Sequence, residues 1–230
     1  MKKYILRKLE TLSLILVNAF EGVRTHNLRH ELTRIAIKET AEFVNESLVG
    51  AMFFGDRGSV HEYALSLCDV EGLHLEFGVY QGKSITYLAT KKPDQEFFGF
   101  DSFIGLKEDW AGTYMKKGHF DVGGELPAVP KNVTLIKGYF QDTLGEFLKV
   151  NPQVVSFVNF DADTYESTLY ILEEIRERLR PGSILVFDEF MGFHGYKQGE
   201  YLSWKEFSIK YGIKYKYAAH SFEQIAIKLV

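Results

Sequence analysis

The sequence is poor in cysteine, proline and net charge: one Cys and five Pro in 230 residues, with 27 basic against 31 acidic side chains, for a net −4. Each shortage excludes something. A lone Cys68 excludes an internal disulfide, and its place in an apolar helical run predicts a small buried hydrophobe in a reducing compartment. Prolines this sparse form no stiff linker between domains. With a pI near 6 there is no electrostatic case for nucleic acid as a partner. Long apolar runs are also missing. The longest, from Leu12, is about ten residues, against the roughly 20 that span a bilayer. The N-terminus MKKYILRKLETLSLILVNAF has the outline of a signal peptide, but Glu10 interrupts it and no small-x-small cleavage site follows. A cytoplasmic location is therefore expected. The alternative is a basic interfacial helix (Lys2, Lys3, Arg7, Lys8) touching a membrane.

What is present is a helical start followed by alternation. Leu9, Leu12, Leu14, Ile15 and Val17 can line a helix face that packs on the core or on a second subunit, so a homo-oligomer is expected. Residues 28–49 repeat apolar side chains at helical spacing, with Leu28, Leu32, Ile35, Ala36 and Phe43 on one face. A short helix over 59–68 follows, with Ser59 as its cap. From residue 72, strands at 73–77, 96–100, 133–136, 154–160 and 183–187 alternate with helices near 83–91, 141–148, 166–179 and 202–211. That alternation predicts a parallel sheet covered on both faces. The last two strands, 213–219 and 224–230, are separated by a gap too short for a crossover, so they form an antiparallel hairpin. The predicted fold is α/β: a doubly wound, seven-stranded, mostly parallel sheet with that hairpin. An N-terminal helical extension (1–50) precedes the domain (51–230).

The richest stretch is LHLEFGVYQGKSITYLA, residues 73–89. An apolar strand ends in a turn with Glu76, Gly78 and Gly82 and enters a helix from Ser84. Glycine at such a turn lets backbone approach a ligand. Asp101 ends the next apolar strand, 19 residues beyond Gly82, where nucleotide-binding α/β folds keep the acid that takes the ribose hydroxyls. The turn reads E-x-G-x-x-x-G, not G-x-G-x-x-G. A carboxylate at Glu76 would repel a pyrophosphate but tolerate an ammonium and a sulfonium. The residues therefore favour S-adenosylmethionine over NAD. An NAD(P)-dependent oxidoreductase, and a binding module that keeps the pocket without transfer, remain as alternatives.

The segments LEFGVYQGKS, FGFDSFIGL, LIKGYFQDTL, FDADTYESTL and PGSILVFDEF resemble, in order and spacing, the macrocin O-methyltransferase family of class I S-adenosylmethionine-dependent methyltransferases. The resemblance covers residues 50–230 and implies methylation of a hydroxyl on a sugar or small natural product. It places cofactor contacts at Glu76, Gly78, Gly82, Ser84, Asp101, Ser102, Phe103, Asp161 and, bordering the adenine, Gly138 and Phe140. Tyr139 is a further candidate beside the adenine, and Tyr139, Phe140 and Phe103 each have the core as their alternative place.

Asp161 and Asp163 end one strand, and Asp188 and Glu189 end the next, at the sheet edge where ligands bind. Three carboxylates in one cleft repel one another unless protonated or bridged by a cation, and an oxygen-only set suits Mg²⁺ or another hard divalent ion. The resemblance implies that Asp161, Asp188 and Glu189 hold it, although relatives often carry Asp or Asn where this chain has Glu189. Helix capping is the competing role, more so for Asp163 than for Asp161, with Thr164 as the other cap candidate. The glycine-rich segment 105–127, with Trp110, Tyr114 and His119, and the loop 190–204 are candidates to meet the acceptor. Asp161 or His194 is the expected general base.

Overall fold

The computed structural model describes residues 9–17, 19, 28–110 and 113–230. Its centre is an eight-stranded sheet in the order β1-β7-β8-β6-β5-β2-β3-β4. The strands are β1 (Met52–Phe53), β2 (Leu73–Phe77), β3 (Phe97–Asp101), β4 (Val133–Lys137), β5 (Val155–Phe160), β6 (Ile184–Phe187), β7 (Tyr215–His220) and β8 (Ile225–Leu229). Every residue of β2, β5 and β6 is buried, which explains why these strands read as continuous apolar runs rather than as alternations. Neighbours pair in parallel except at β8, which lies antiparallel between β6 and β7. The doubly wound sheet and its antiparallel C-terminal hairpin are as expected. The eighth strand is not: β1 is two exposed residues paired with Ala219 and His220 at the sheet margin. A strand that short has no periodicity to read.

Helices cover both faces: α1 (Leu28–Ser47), α2 (Arg57–Ser66), α3 (Lys83–Lys91), α4 (Phe140–Val150), α5 (Tyr165–Ile175) and α6 (Glu200–Lys210). Along one face the sheet carries a row of stacked rings. Phe77 lies on Phe100 at 4.9 Å, Phe160 on Phe187 at 4.5 Å, and Phe140 of α4 meets Phe77 edge-on at 5.5 Å. Rings at these offsets add to the burial term that fixes the central strands in register. The link from β3 to β4 has no helix among its described residues. The long segment after Asp101 instead folds over the sheet's C-terminal edge.

Helix α1 packs on the domain with Ala36 and Thr40 buried, and Thr40 Oγ1 accepts from the Gly192 N–H at 2.9 Å. Phe43 meets Phe190, Tyr201 and Tyr217. Leu28 and Ile35, expected on the inner face, are exposed. The small Ala36 and Thr40 allow closer approach, so the helix turns that side inward. Residues 9–17 are helical, and Leu12, Leu14, Ile15 and Leu16 are exposed. Lys2, Lys3, Arg7 and Lys8 lie outside the described residues, and no described helix is long and apolar enough to cross a membrane. Cys68 is a free thiol, half-buried, and burial pushes its pKa up to about 11.

Candidate active site

The strand order reverses at β2. From there the chain runs outward through β3 and β4, then returns to pair β5 on the other side of β2. A crevice opens at the C-terminal ends of β2 and β5, the place where open α/β sheets bind ligands. Gly78 and Asp161 form its floor. The Asp161 N–H donates to Phe77 O at 2.8 Å, and Gly78 has φ 93°. A Cβ at Gly78 would lie 1.8 Å from the Asp161 carbonyl oxygen. Only glycine fits between these two strand ends.

Asp101 braces the turn. Its Oδ2 accepts from the Val79 and Tyr80 N–H groups at 2.8 and 2.7 Å, and its Oδ1 accepts from Phe103 N–H at 2.7 Å. The Oδ1 atom keeps lone-pair capacity and Asp101 lines the cavity, so bracing and ribose binding are compatible. Glu76 has a different environment from the bare charge assumed in reading the turn. It is buried, with Oε1 accepting from Ser84 Oγ at 2.9 Å and Oε2 from Asn159 Nδ2 at 3.0 Å. Burial, aided by the charge of Asp161, pushes its pKa up to about 8. Near neutrality it is therefore mostly protonated, and a cation placed beside it would favour the carboxylate form. Asn159 Oδ1 in turn faces His61 Nε2 at 2.9 Å. Burial and the charge of Arg57 push that imidazole down to about 3, so it is neutral.

Asp161, Asp163, Asp188 and Glu189 all line one cavity. Thr164 caps α5, accepting from Ser167 N–H at 3.3 Å, which frees Asp163 from that duty. Asp163 has φ 62° and is buried. Ligand oxygens of Asp161, Asp163 and Glu189 all lie within 4.8 Å of one another. Asp188 lines the same cavity beside them. Arg57, the first residue of α2, donates from Nη2 to Asp161 Oδ2 at 2.5 Å and from Nη1 to Asp188 Oδ2 at 2.8 Å. Asp56, rather than the expected Ser59, caps this helix: its Oδ1 accepts from Ser59 N–H at 2.9 Å. The cap sets Arg57 at the helix start, facing the acids.

One guanidinium does not neutralise this cluster. Burial raises Asp161 above the usual carboxylate range in spite of Arg57. Burial and the Asp161 charge push Asp188 up to about 7. Asp163, Glu189 and Glu200 are raised well above the ordinary range by burial and one another's charge. Glu200 holds the two acid-bearing loops together, accepting from the Ala162 N–H at 3.3 Å and the Glu189 N–H at 3.0 Å. Asp188 Oδ1 and Glu189 Oε2 are buried without a hydrogen-bond partner. Orphaned carboxylate oxygens beside a surplus of acids fit a hard divalent cation.

A cavity of about 350 Å³ joins these parts. It is lined by Gly78, Asp101, Ser102, Tyr139 and Phe140 on one side and by Arg57, Asp161, Asp163, Asp188 and Glu189 on the other. Leu106, Lys107, Trp110, Met115 and Phe120 of the glycine-rich segment close it, with Trp110 buried against Phe193 at 6.3 Å. A second cavity of about 370 Å³ adjoins it behind Arg57, lined in part by Ser84. Several expected contacts stand back from the main cavity. Phe103 is buried core; Gly82, at φ 74°, begins α3 and packs near Pro127 and Val129; Gly138 donates its N–H to Asp101 O at 2.9 Å. His194 is exposed on its loop, and neither it nor Tyr114 nor His119 lines the cavity. Arg57 and Glu200 escaped the sequence reading. Arg57 lies outside every recognisable segment, and Glu200 reads as an ordinary first-turn helix acid.

Comparison with known proteins agrees with this architecture. The family described as "Methyltransferase domain" matches residues 75–190, which runs from β2 through the Asp188–Glu189 loop. The crystal structure of the calicheamicin methyltransferase CalS11 is similar at 22% identity and a TM-score of 0.61, covering 88% of this chain and 93% of that one. The apo structure of CalS11, described as a TDP-rhamnose 3'-O-methyltransferase, matches at 24% identity and 0.54, covering 86% and 93%. The O-methyltransferase NovP matches at 17% identity and 0.52, covering 85% and 97%. No curated protein matches by sequence. At these identities the likeness to solved structures is one of fold.

Proposed function

This chain belongs to the methyltransferase-domain family, and we propose that it is an S-adenosylmethionine-dependent O-methyltransferase acting on a hydroxyl of a sugar or small natural product. We further propose that it is assisted by a divalent ion and works as a homo-oligomer in the cytoplasm, with residues 51–230 as the catalytic domain and residues 1–50 as an extension. One observation carries the reading: the glycine-floored crevice bearing Asp101 opens into the same cavity as the orphaned acids of β5 and β6. The printed descriptions of CalS11 and NovP, both O-methyltransferases, favour oxygen as the acceptor atom.

S-adenosylmethionine is the methyl-donating cosubstrate, and its sulfonium already activates the carbon. The protein's task is alignment and deprotonation. The methyl carbon leaves sulfur as a C–O bond forms, the C–S pair stays on a neutral thioether, and the hydroxyl proton goes to a carboxylate at the mouth. Asp101 and the rings of Tyr139 and Phe140 would orient the adenosine half. Glu76 would answer the cosubstrate's positive charge from beneath the turn. A divalent ion held by oxygens of the acidic mouth would lower the acceptor's pKa and fix its position. Asp161 is the preferred base, since it lies in the cavity where His194 does not.

Turnover with candidate hydroxyl acceptors tests this. EDTA should abolish it and Mg²⁺ restore it, while S-adenosylhomocysteine binding survives chelation. Asp161→Asn should then cost more in kcat than in cosubstrate affinity. Full turnover in chelated enzyme would remove the ion from the mechanism.

A further inference from the structure

We propose that His61 is a positioning residue for the amino-acid end of S-adenosylmethionine, acting through Asn159 on Glu76 and Ser84. The inference rests on the cosubstrate reading above and adds to it a residue that no sequence motif marks.

His61, Asn159, Glu76 and Ser84 form one hydrogen-bonded row beneath the glycine turn. Glu76 of β2 and Asn159 of β5 stand directly opposite each other in the parallel register. Ser84 Oγ donates to Glu76 Oε1 at 2.9 Å, and Asn159 Nδ2 donates to Glu76 Oε2 at 3.0 Å. With its nitrogen committed to the acid, Asn159 turns its Oδ1 toward His61 Nε2 at 2.9 Å. That oxygen can only accept, so Nε2 is the ring nitrogen that carries the proton. A donor on one side and an acceptor on the other hold the amide in one orientation, and the amide holds the acid.

Packing alone does not call for such a row. His61, Glu76 and Asn159 are buried, and apolar side chains would fill the same space with no polar group to satisfy. The two ends of the row explain it. His61 and Ser84 both line the second cavity, behind Arg57, whereas Asn159 and Glu76 line neither cavity. Ser84 gives its proton to the acid, which leaves its oxygen lone pairs for a ligand. Arg57 and Lys83 line the same cavity. An acceptor backed by an acid, in one cavity with two cations, matches a group that carries both an ammonium and a carboxylate.

Helix α2 sets the position of His61. The residue lies four places after Arg57, on the same helix face, and the Asp56 cap fixes how that helix begins. Arg57 meets Asp161 while His61 meets Asn159, so α2 is joined to β5 and to the residue just beyond it.

Calorimetry on the full chain with S-adenosylhomocysteine and with methylthioadenosine tests this without turnover. The two ligands share the adenosine and the thioether, and only the first carries the amino-acid end. His61→Phe keeps a buried ring and removes the donor. It should weaken S-adenosylhomocysteine about tenfold, the scale of one buried hydrogen bond, and change methylthioadenosine by less than about twofold. His61→Gln, whose amide nitrogen can stand where Nε2 stands, should restore S-adenosylhomocysteine to within about threefold of wild type. Circular dichroism checks that each variant is folded. If His61→Phe fails to fold, His61→Asn, too short to reach Asn159, takes its place. Equal weakening of both ligands would make His61 a packing residue and overturn the proposal, as would unchanged S-adenosylhomocysteine affinity in the variant without the donor. Wild-type protein that binds neither ligand would overturn the cosubstrate reading itself.

Discussion

Replacing Glu76 with Gln should flatten part of the protein's stability loss at alkaline pH. The side chain is buried between Ser84 Oγ and Asn159 Nδ2. An amide of the same shape can accept from Asn159 and donate to the serine hydroxyl, leaving both satisfied. In the wild type, burial and the Asp161 charge raise the folded pKa to about 8, from an ordinary 4.5. Between those values the unfolded chain has lost a proton that the folded chain still binds, so stability falls as pH rises and levels off above about 8. At about 1.4 kcal/mol per pH unit of full difference, the change from pH 5 to pH 8 is about 3 kcal/mol. Asp161, Asp163, Asp188, Glu189 and Glu200 are shifted in the same direction, so a slope remains in the variant. The difference between the two proteins isolates Glu76. Urea unfolding of ligand-free, chelated protein at several pH values measures it. The two stability curves should lie close together at pH 5 and separate toward pH 8, with Glu76→Gln the more stable. Parallel curves would mean that Glu76 ionises normally when folded, and the account of its environment would be wrong.

Three other tests address separate parts of the site. Gly78→Ala forces a Cβ onto the Asp161 carbonyl and should cost more than about 3 kcal/mol, with loss of S-adenosylhomocysteine binding. Gly118→Ala, also at positive φ but with nothing within 4 Å, should cost only about 1 kcal/mol; equal costs would show that the strand ends can separate. Asp101→Ala should weaken S-adenosylhomocysteine by about 1.5–3 kcal/mol, partly through the loosened Val79 and Tyr80 amides, and unchanged calorimetric affinity in a folded variant would remove it from the site. For assembly, sedimentation should show a dimer that becomes monomeric when residues 1–27 are deleted and α1 is kept. A full-length chain that stays monomeric at micromolar concentration would rule that out.

Most of the fold was legible because the buried strands β2, β5 and β6 read as short apolar runs and the helices between them carry amphipathic spacing. The glycine turn, Asp101 and the acids at two strand ends were legible for the same reason: each sits at a fixed offset from a recognisable strand. The illegible parts depend on contacts between distant segments. β1 is two residues that become a strand only because β7 offers an open edge. Glu76 could be read as an acid beside a glycine, but not as one held near neutral. Its burial and its bond to Asn159 come from the pairing of β2 with β5.

Asp163 and Arg57 show why the acids were found and their roles were not. An aspartate after a strand and before a helix is sensibly read as a cap, and only the structure shows that Thr164 takes that place instead of Asp163. Arg57 lies 104 residues from Asp161 in sequence, and no spacing rule connects them. A charged side chain on a short helix ordinarily points to solvent. What turns this one inward is the Asp56 cap together with the orientation of α2, which packs over β6, β7 and β8. The acids that read from sequence as free carboxylates therefore share a cation that arrives from another part of the chain. Acids at strand ends announce that a charge must be balanced there. How that balance is struck depends on contacts between distant segments, which no local spacing reveals.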